Sequence, residues 1–390
     1  MRATLRVLGR IVVLLLLAAV VVGIWKRDEL SRLWAVNSLF SEERIVQNFS
    51  SMDRLFFART MPRGDDPVAP LPQGAAMALP EGADTWITDR AVTSLIVLRD
   101  GAIRHESYHL GTGADDRRIS WSVAKSFLSV LTGIVMAEGA IGSLDDPVTD
   151  YAPELRGSAY DGASLRNVLQ MASGVEFDED YLKFSSDINR MGRVLALGGS
   201  MDGFAAGQQK QAGPPGEAWR YVSIDTHVLG MVLRGATGRP VTELMQEKLI
   251  VPLGLEADPY YVTDGFGTAF VLGGLNLRSR DYARFGQMVL QDGQWQGRQI
   301  VPPAWLAEST VPSAPTAPGA EQYGYQWWMP KDAAEGEVYG RGIYGQYLFI
   351  DRARGVVIVT TAADRQFRDE GVHDGNIAML RRIARAAAGG

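Results

Sequence analysis

The chain has 390 residues, is 46% hydrophobic and 22% charged, and carries a formal net charge of −6, the profile of a globular protein with a substantial core. The acidic balance and the lack of a basic stripe argue against nucleic acid as a partner. With no cysteine, disulfides, thiolate chemistry and cysteine-ligated zinc are excluded.

At the N-terminus Arg2, Arg6 and Arg10 precede an uncharged apolar run, Ile11 to Trp25, ended by Lys26, Arg27 and Asp28. The run is shorter than the roughly 20 residues of a full span, although Arg10 could snorkel. It reads as a signal-peptide core or a short uncleaved signal anchor over residues 1–27. The absence of an Ala-x-Ala site and of a lipobox cysteine favours the anchor. Either reading exports the rest of the chain, with the bacterial inner membrane as the partner surface and the main domain expected in the periplasm or outside the cell.

Residues 28–82 divide into an amphipathic juxtamembrane segment to about residue 60, expected to pack on the main domain, and a linker rich in Pro, Gly and Ala. The main domain is expected over 83–390. Ser94 to Leu110 reads as a hairpin around Asp100-Gly101, a strong two-residue turn signal. It contains His105-Glu106-Ser107-Tyr108-His109, the H-E-x-x-H spacing of zinc proteases. That chemistry needs both histidines on one helical face; in a strand they lie about 13 Å apart along the backbone and cannot share a metal. A zinc peptidase therefore stands only as a rival of different chemistry, and no metal or organic cofactor is called for.

Ser120 to Glu138 is apolar round most of its circumference and predicts a buried central helix, stopped by Gly139. Residues 150 to about 270 read as an inserted helical subdomain. Its helices are predicted over Ser164–Met171 (capped by Ser164), Asp187–Leu197, Asp225–Thr237 and Val241–Ile250. Arg280–Gln291 is a later helix, and another starts at Pro302-Pro303. Strands are predicted over Gly324–Met329, Gly345–Ile350 and Val356–Thr361, and a final helix over Gly375–Ala387. Strands at both ends with helices between predict an α+β fold: an antiparallel sheet flanked by helices, with the helical subdomain inserted.

The chemistry concentrates in three places. Ser122 and Lys125 sit three apart at the start of the buried helix and share a face. A serine hydroxyl needs a base at neutral pH, and burial lowers a lysine's pKa until its amine can serve. Of the six lysines, Lys125 alone has a serine three residues before it. No G-x-S-x-G elbow occurs, and the four histidines suggest no triad. Tyr221-Val222-Ser223 follows the rigid Pro214-Pro215-Gly216 loop and offers a phenol for proton relay. Tyr339-Gly340-Arg341-Gly342-Ile343-Tyr344-Gly345 enters a strand. Its glycines suggest room for substrate against the backbone, and the Ile343 amide could join that of Ser122 as an oxyanion hole.

The order of Ser-x-x-Lys, Tyr-x-Ser and a Gly-rich strand start resembles the serine β-lactamase and penicillin-recognising hydrolase superfamily. Trp121–Ser126, Leu144–Val148, Leu169–Val175 and Gly342–Gln346 are most similar to its branch of 6-aminohexanoate-dimer hydrolases and related carboxylesterases. The resemblance covers roughly residues 40–385 and implies a β-lactamase-like fold. It implies Ser122 as acylated nucleophile, Lys125 as its partner, Tyr221 as general acid/base, and the Ser122 and Ile343 amides as oxyanion hole. It places substrate contacts at Tyr181 and Asp187, with Ser223, Arg341 and Tyr344 as further candidates. Where β-lactamases and cell-wall peptidases carry Lys-Thr-Gly, this chain has Gly340-Arg341-Gly342. The expectation is therefore a serine hydrolase cleaving an ester or amide of a small molecule through an acyl-enzyme. A D-Ala-D-Ala peptidase, a β-lactamase and a non-catalytic penicillin-recognising sensor are the rivals.

Overall fold

Strands from the two ends of the sequence meet in one antiparallel sheet. The computed structural model describes residues 2–389. The sheet holds seven strands: β1 (Val92–Arg99), β2 (Ala102–Tyr108), β3 (Gln322–Tyr323), β4 (Trp328–Met329), β5 (Glu337–Gly342), β6 (Gln346–Asp351) and β7 (Val356–Ala362). Their order is β2-β1-β7-β6-β5-β4-β3. Asp100 and Gly101 both take positive φ, 48° and 81°, the geometry of a two-residue hairpin turn that matches strand twist.

Alternation along the strands feeds two cores. Leu95 and Val97 of β1, Phe349 of β6 and Ile358 of β7 pack with Ile377, Leu380 and Ile383 of the C-terminal helix Val372–Ala388. Ile96, Leu98, Leu348, Ile350, Val357 and Val359 point the other way, into the main core. That core surrounds two helices, α1 (Ala124–Ala137) and α2 (Ser223–Thr237). The helix Ser279–Leu290 joins them to the sheet, its Phe285 stacked on Phe127 at 3.6 Å.

The predicted strand over Gly324–Met329 is a correction. Only Trp328–Met329 is strand; Gly324 to Trp327 form a tight turn, Gly324 N–H donating to Trp327 O at 2.9 Å, with Gln326 at φ 63°. The buried Gln326 amide accepts from Thr226 Oγ1 at 2.7 Å and donates to Leu169 O at 2.9 Å. Those bonds to the helical half replace the sheet ladder. The predicted helix at Ser120 also begins differently, as a 3-10 turn over Trp121–Val123 before α1. A second sheet, not predicted, joins Ala58–Thr60, Tyr260–Val262, Leu275–Arg278 and Arg117–Ile119. Its strands have three or four residues, too few to show a period of two.

The N-terminal helix runs unbroken over Arg2–Trp25. Thr4–Trp25, 22 residues of which none is buried, is long and apolar enough to cross a membrane, more than the run from Ile11 suggests. The chain then forms a helix over Arg27–Ser38 and short turns of helix at Ile45–Phe49 and Met52–Leu55. Leu39, Phe49, Met52 and Phe56 bury themselves in the main core, while Leu30 and Trp34 remain exposed.

Candidate active site

Trp121 takes a φ of 43°, a left-handed conformation that costs a bulky residue about 1–3 kcal/mol and persists only where its surroundings hold it. Those surroundings are aromatic. Phe49 lies 5.4 Å and Phe40 5.7 Å from the Trp121 ring. The same two rings hold Tyr344, itself at φ 61°, with Phe40 stacked on it at 4.7 Å and Phe49 edge-on at 5.6 Å. The backbone therefore turns sharply just before Ser122 and just after Ile343, and residues 40–49 brace both turns.

Glycines let β5 reach the turn that carries Ser122. A Cβ on Gly342 would lie 2.5 Å from Ser120 O and 3.0 Å from Trp121 Cβ; one on Gly340 would lie 3.1 Å from Ser126 Oγ. Expected from the sequence to leave room for substrate, these glycines leave room for protein backbone. Gly342→Ala should push the two turns apart and lower kcat/KM by about 100-fold, the scale of a misplacement near 1 Å. Kinetics on the folded variant, checked by circular dichroism, tests this.

Lys125 is 1% exposed. Its Nζ donates to Leu272 O at 3.1 Å and to Ser223 Oγ at 3.4 Å, and stands 5.5 Å from the centroid of the Tyr221 ring. Burial disfavours its cation and lowers its pKa to about 7, against the opposing pull of Glu179 and Asp225. Tyr221 moves the other way. Burial, then the Glu179 charge, raise its pKa, while the nearby Ser122 hydroxyl, the Arg341 charge and the Ser223 hydroxyl oppose the rise. The Tyr221 ring stacks on Trp328 at 5.4 Å. At neutral pH this pairs a partly neutral amine with a protonated phenol, beside a serine hydroxyl. Such a set can take one proton and hand over another.

Glu179 has no counterpart among the residues expected from the sequence. It accepts the Ser223 N–H and senses the Lys125 charge, while burial raises its pKa. The run Glu176 to Asp180 gave no means of choosing it. Asp178 and Asp180 in that run accept the backbone N–H groups of Asp180 and Leu182, each at 3.0 Å, and serve the loop itself. Asp225 lies deeper. Tyr160 and Ser173 donate to it at 2.8 and 2.7 Å, and burial pushes its pKa up to about 7.

Ser122, Ile343, Tyr344, Tyr181 and Ser223 line one cavity of about 310 Å³. Tyr221 stands beside it. Asp187 and Arg341 are not among its lining residues. The Asp187 carboxylate accepts the Asp178 N–H at 3.0 Å and pairs with Arg190 at 2.9 Å, ordering the loop before the helix Asp187–Ala196. Arg341 pairs with Glu321 at 3.4 Å and lies 5.8 Å over the Trp328 ring, on the Tyr221 side. Of the H-E-x-x-H residues, His105 and Glu106 lie on β2 and His109 directly follows its last residue. His105 and His109 both bond Ser107 Oγ at 3.0 Å, whereas Glu106 pairs with Arg280 at 2.8 Å. Glu106, one residue out of step with the histidines, points to the opposite face of the strand, so the three do not converge.

The beta-lactamase family matches residues 83–380. The 6-aminohexanoate-dimer hydrolase of Paenarthrobacter ureafaciens is 31% identical over 288 residues, 70% of this chain and 73% of its own. A Bacillus anthracis protein assigned as a 6-aminohexanoate-dimer hydrolase superposes with a TM-score of 0.79 at 23% identity, covering 89% of this chain and 95% of its own. A D-stereospecific amidohydrolase from Streptomyces superposes with a TM-score of 0.58 at 22% identity, covering 76% and 99%. The two superpositions carry the fold, and the match over residues 83–380 carries the family: this chain belongs to the beta-lactamase family of serine hydrolases.

Proposed function

We propose that the chain hydrolyses esters or amides of small molecules through an acyl-enzyme on Ser122, with Lys125 and Tyr221 moving the protons. The observation that carries this reading is Lys125, a buried amine whose pKa falls to about 7 one turn after a serine hydroxyl. Neutral Lys125 takes the Ser122 proton as Oγ bonds to the carbonyl carbon. The oxyanion that forms is held by the Ser122 and Ile343 amides. As the carbon–oxygen or carbon–nitrogen bond breaks, the Tyr221 phenol protonates the leaving group and is reprotonated from Lys125. Water then attacks the acyl-enzyme, giving its proton to the same pair, and releases the acid. Glu179, through the Ser223 N–H and the Lys125 charge, holds this group together.

A 22-residue apolar helix ahead of Lys26 and Arg27 supports an exported chain anchored by its N-terminal segment, with the hydrolase domain, residues 83–390, outside the inner membrane.

Leaving groups separate the proton-transfer roles. Tyr221→Phe should lower kcat/KM for an anilide by about 10²–10⁴, the usual weight of a general acid. It should cost a 4-nitrophenyl ester much less, because nitrophenolate leaves without a proton. Equal losses on both would remove Tyr221 from leaving-group protonation.

A further inference from the structure

We propose that the cavity beside Ser122 takes an apolar, uncharged acyl chain, so that apolar acyl substrates are cleaved in preference to aminoacyl ones. This rests on the reading of Ser122 as the nucleophile. Ser122 and Ile343 line the cavity and Tyr221 does not. A carbonyl bonded to Ser122 therefore sits at the cavity's edge, and its leaving group departs past Tyr221, towards Trp328 and Arg341. The acyl half is the part that enters.

The walls suit hydrocarbon. Val36, Phe40, Met52 and Phe56, from the segment after the N-terminal helix, close one side, and Met191 and Phe270 contribute to the rest. A volume of about 310 Å³ lies at the small end of ligand pockets and fits a short to medium chain. No carboxylate lines it among the described residues, and its one charged lining residue is Arg193. That guanidinium is already engaged, 4.0 Å over the Phe184 ring and donating to Phe184 O at 2.8 Å. An ammonium at the end of the chain would exchange its water for at most the neutral amides of Asn37 and Asn189, with no carboxylate to balance its charge, while each methylene gains by leaving water. Leu182 and Phe184, also lining residues, are 82% and 72% exposed and extend the apolar surface outwards.

The step balances without a co-reactant other than water. Ser122 Oγ bonds to the acyl carbon, the bond to the leaving group breaks, the Ser122 proton passes through the Lys125–Tyr221 pair to the leaving group, and water restores the serine and releases the fatty acid.

The full chain, held in phosphatidylcholine nanodiscs, is assayed with 4-nitrophenyl acetate, butyrate and hexanoate, and with hexanoyl and 6-aminohexanoyl anilides. We expect kcat/KM to rise by about fourfold per methylene up to hexanoate. The hexanoyl anilide should exceed the 6-aminohexanoyl anilide by about 100-fold or more. Val36→Trp, which narrows the cavity, should lower the hexanoate-to-acetate ratio about tenfold. A flat chain-length profile or an aminoacyl preference, with Ser122 still labelled by a fluorophosphonate, would overturn the cavity assignment alone. Failure of the fluorophosphonate to label Ser122, with no ester cleaved, would overturn the nucleophile reading and this inference together.

Discussion

Replacing Ser122 with alanine should lower kcat/KM for ester and amide substrates by about 10⁴-fold or more, the scale seen when a covalent nucleophile is removed. The change deletes one oxygen at a partly exposed position, so folding should be undisturbed and the loss should appear in chemistry. The backbone N–H remains, and with it the oxyanion site, which leaves a small residual rate. Adding Lys125→Met to Ser122→Ala should cost little more, because the two residues act on one step. Steady-state kinetics of the single and double variants measures this. Additive losses would show that Lys125 acts elsewhere.

Lys125→Met carries the second large effect and a distinctive pH signature. For the native chain, kcat/KM should rise tenfold per pH unit up to about pH 7 and level off above it, because the reactive form is the neutral amine and burial sets its pKa near 7. Lys125→Met should lose about 10³-fold or more and lose that limb. Lys125→Arg should be inactive at every accessible pH, since a guanidinium stays protonated.

Stability should rise with pH as well, but in a higher window. The folded pKa lies below the ordinary value of 10.5. Between about pH 7 and 10 the unfolded chain therefore holds a proton that the folded chain does not. Native stability should rise with pH across that window. Below about pH 7 both states hold the proton and the full cost of burying the cation remains. Lys125→Met, of similar length and apolar, should remove this slope and stabilise the fold by about 1–4 kcal/mol at neutral pH. Denaturant melts at several pH values measure it.

Local signals account for what the sequence made legible. Asp100-Gly101 announced its hairpin because few residues take two consecutive positive φ values. Ser164 announced a helix start, and its hydroxyl does accept the Asn167 N–H in a capping box. Lys125 stood out as a candidate because a lysine inside an apolar helix is costly unless it has a partner or a function, and Tyr221 because a serine follows it two positions later. The missing parts depend on contacts distant in sequence. The four-stranded sheet draws residues near 58, 118, 261 and 276 together. Glu179 gains its meaning only when the Ser223 N–H arrives, 44 positions later. The bracing of Trp121 by Phe40 and Phe49 is likewise invisible to periodicity: their spacing reads as an amphipathic surface, and only the fold turns it into the support of two strained turns.

The central claim is a covalent acyl-enzyme on Ser122. Intact-mass analysis after rapid acid quench of the full chain with 4-nitrophenyl hexanoate measures it most directly. The account predicts a mass increase of one hexanoyl group, located on the peptide containing Ser122 and absent from Ser122→Ala. Full turnover by Ser122→Ala, or an adduct on any other residue that forms and decays at the rate of turnover, would contradict it.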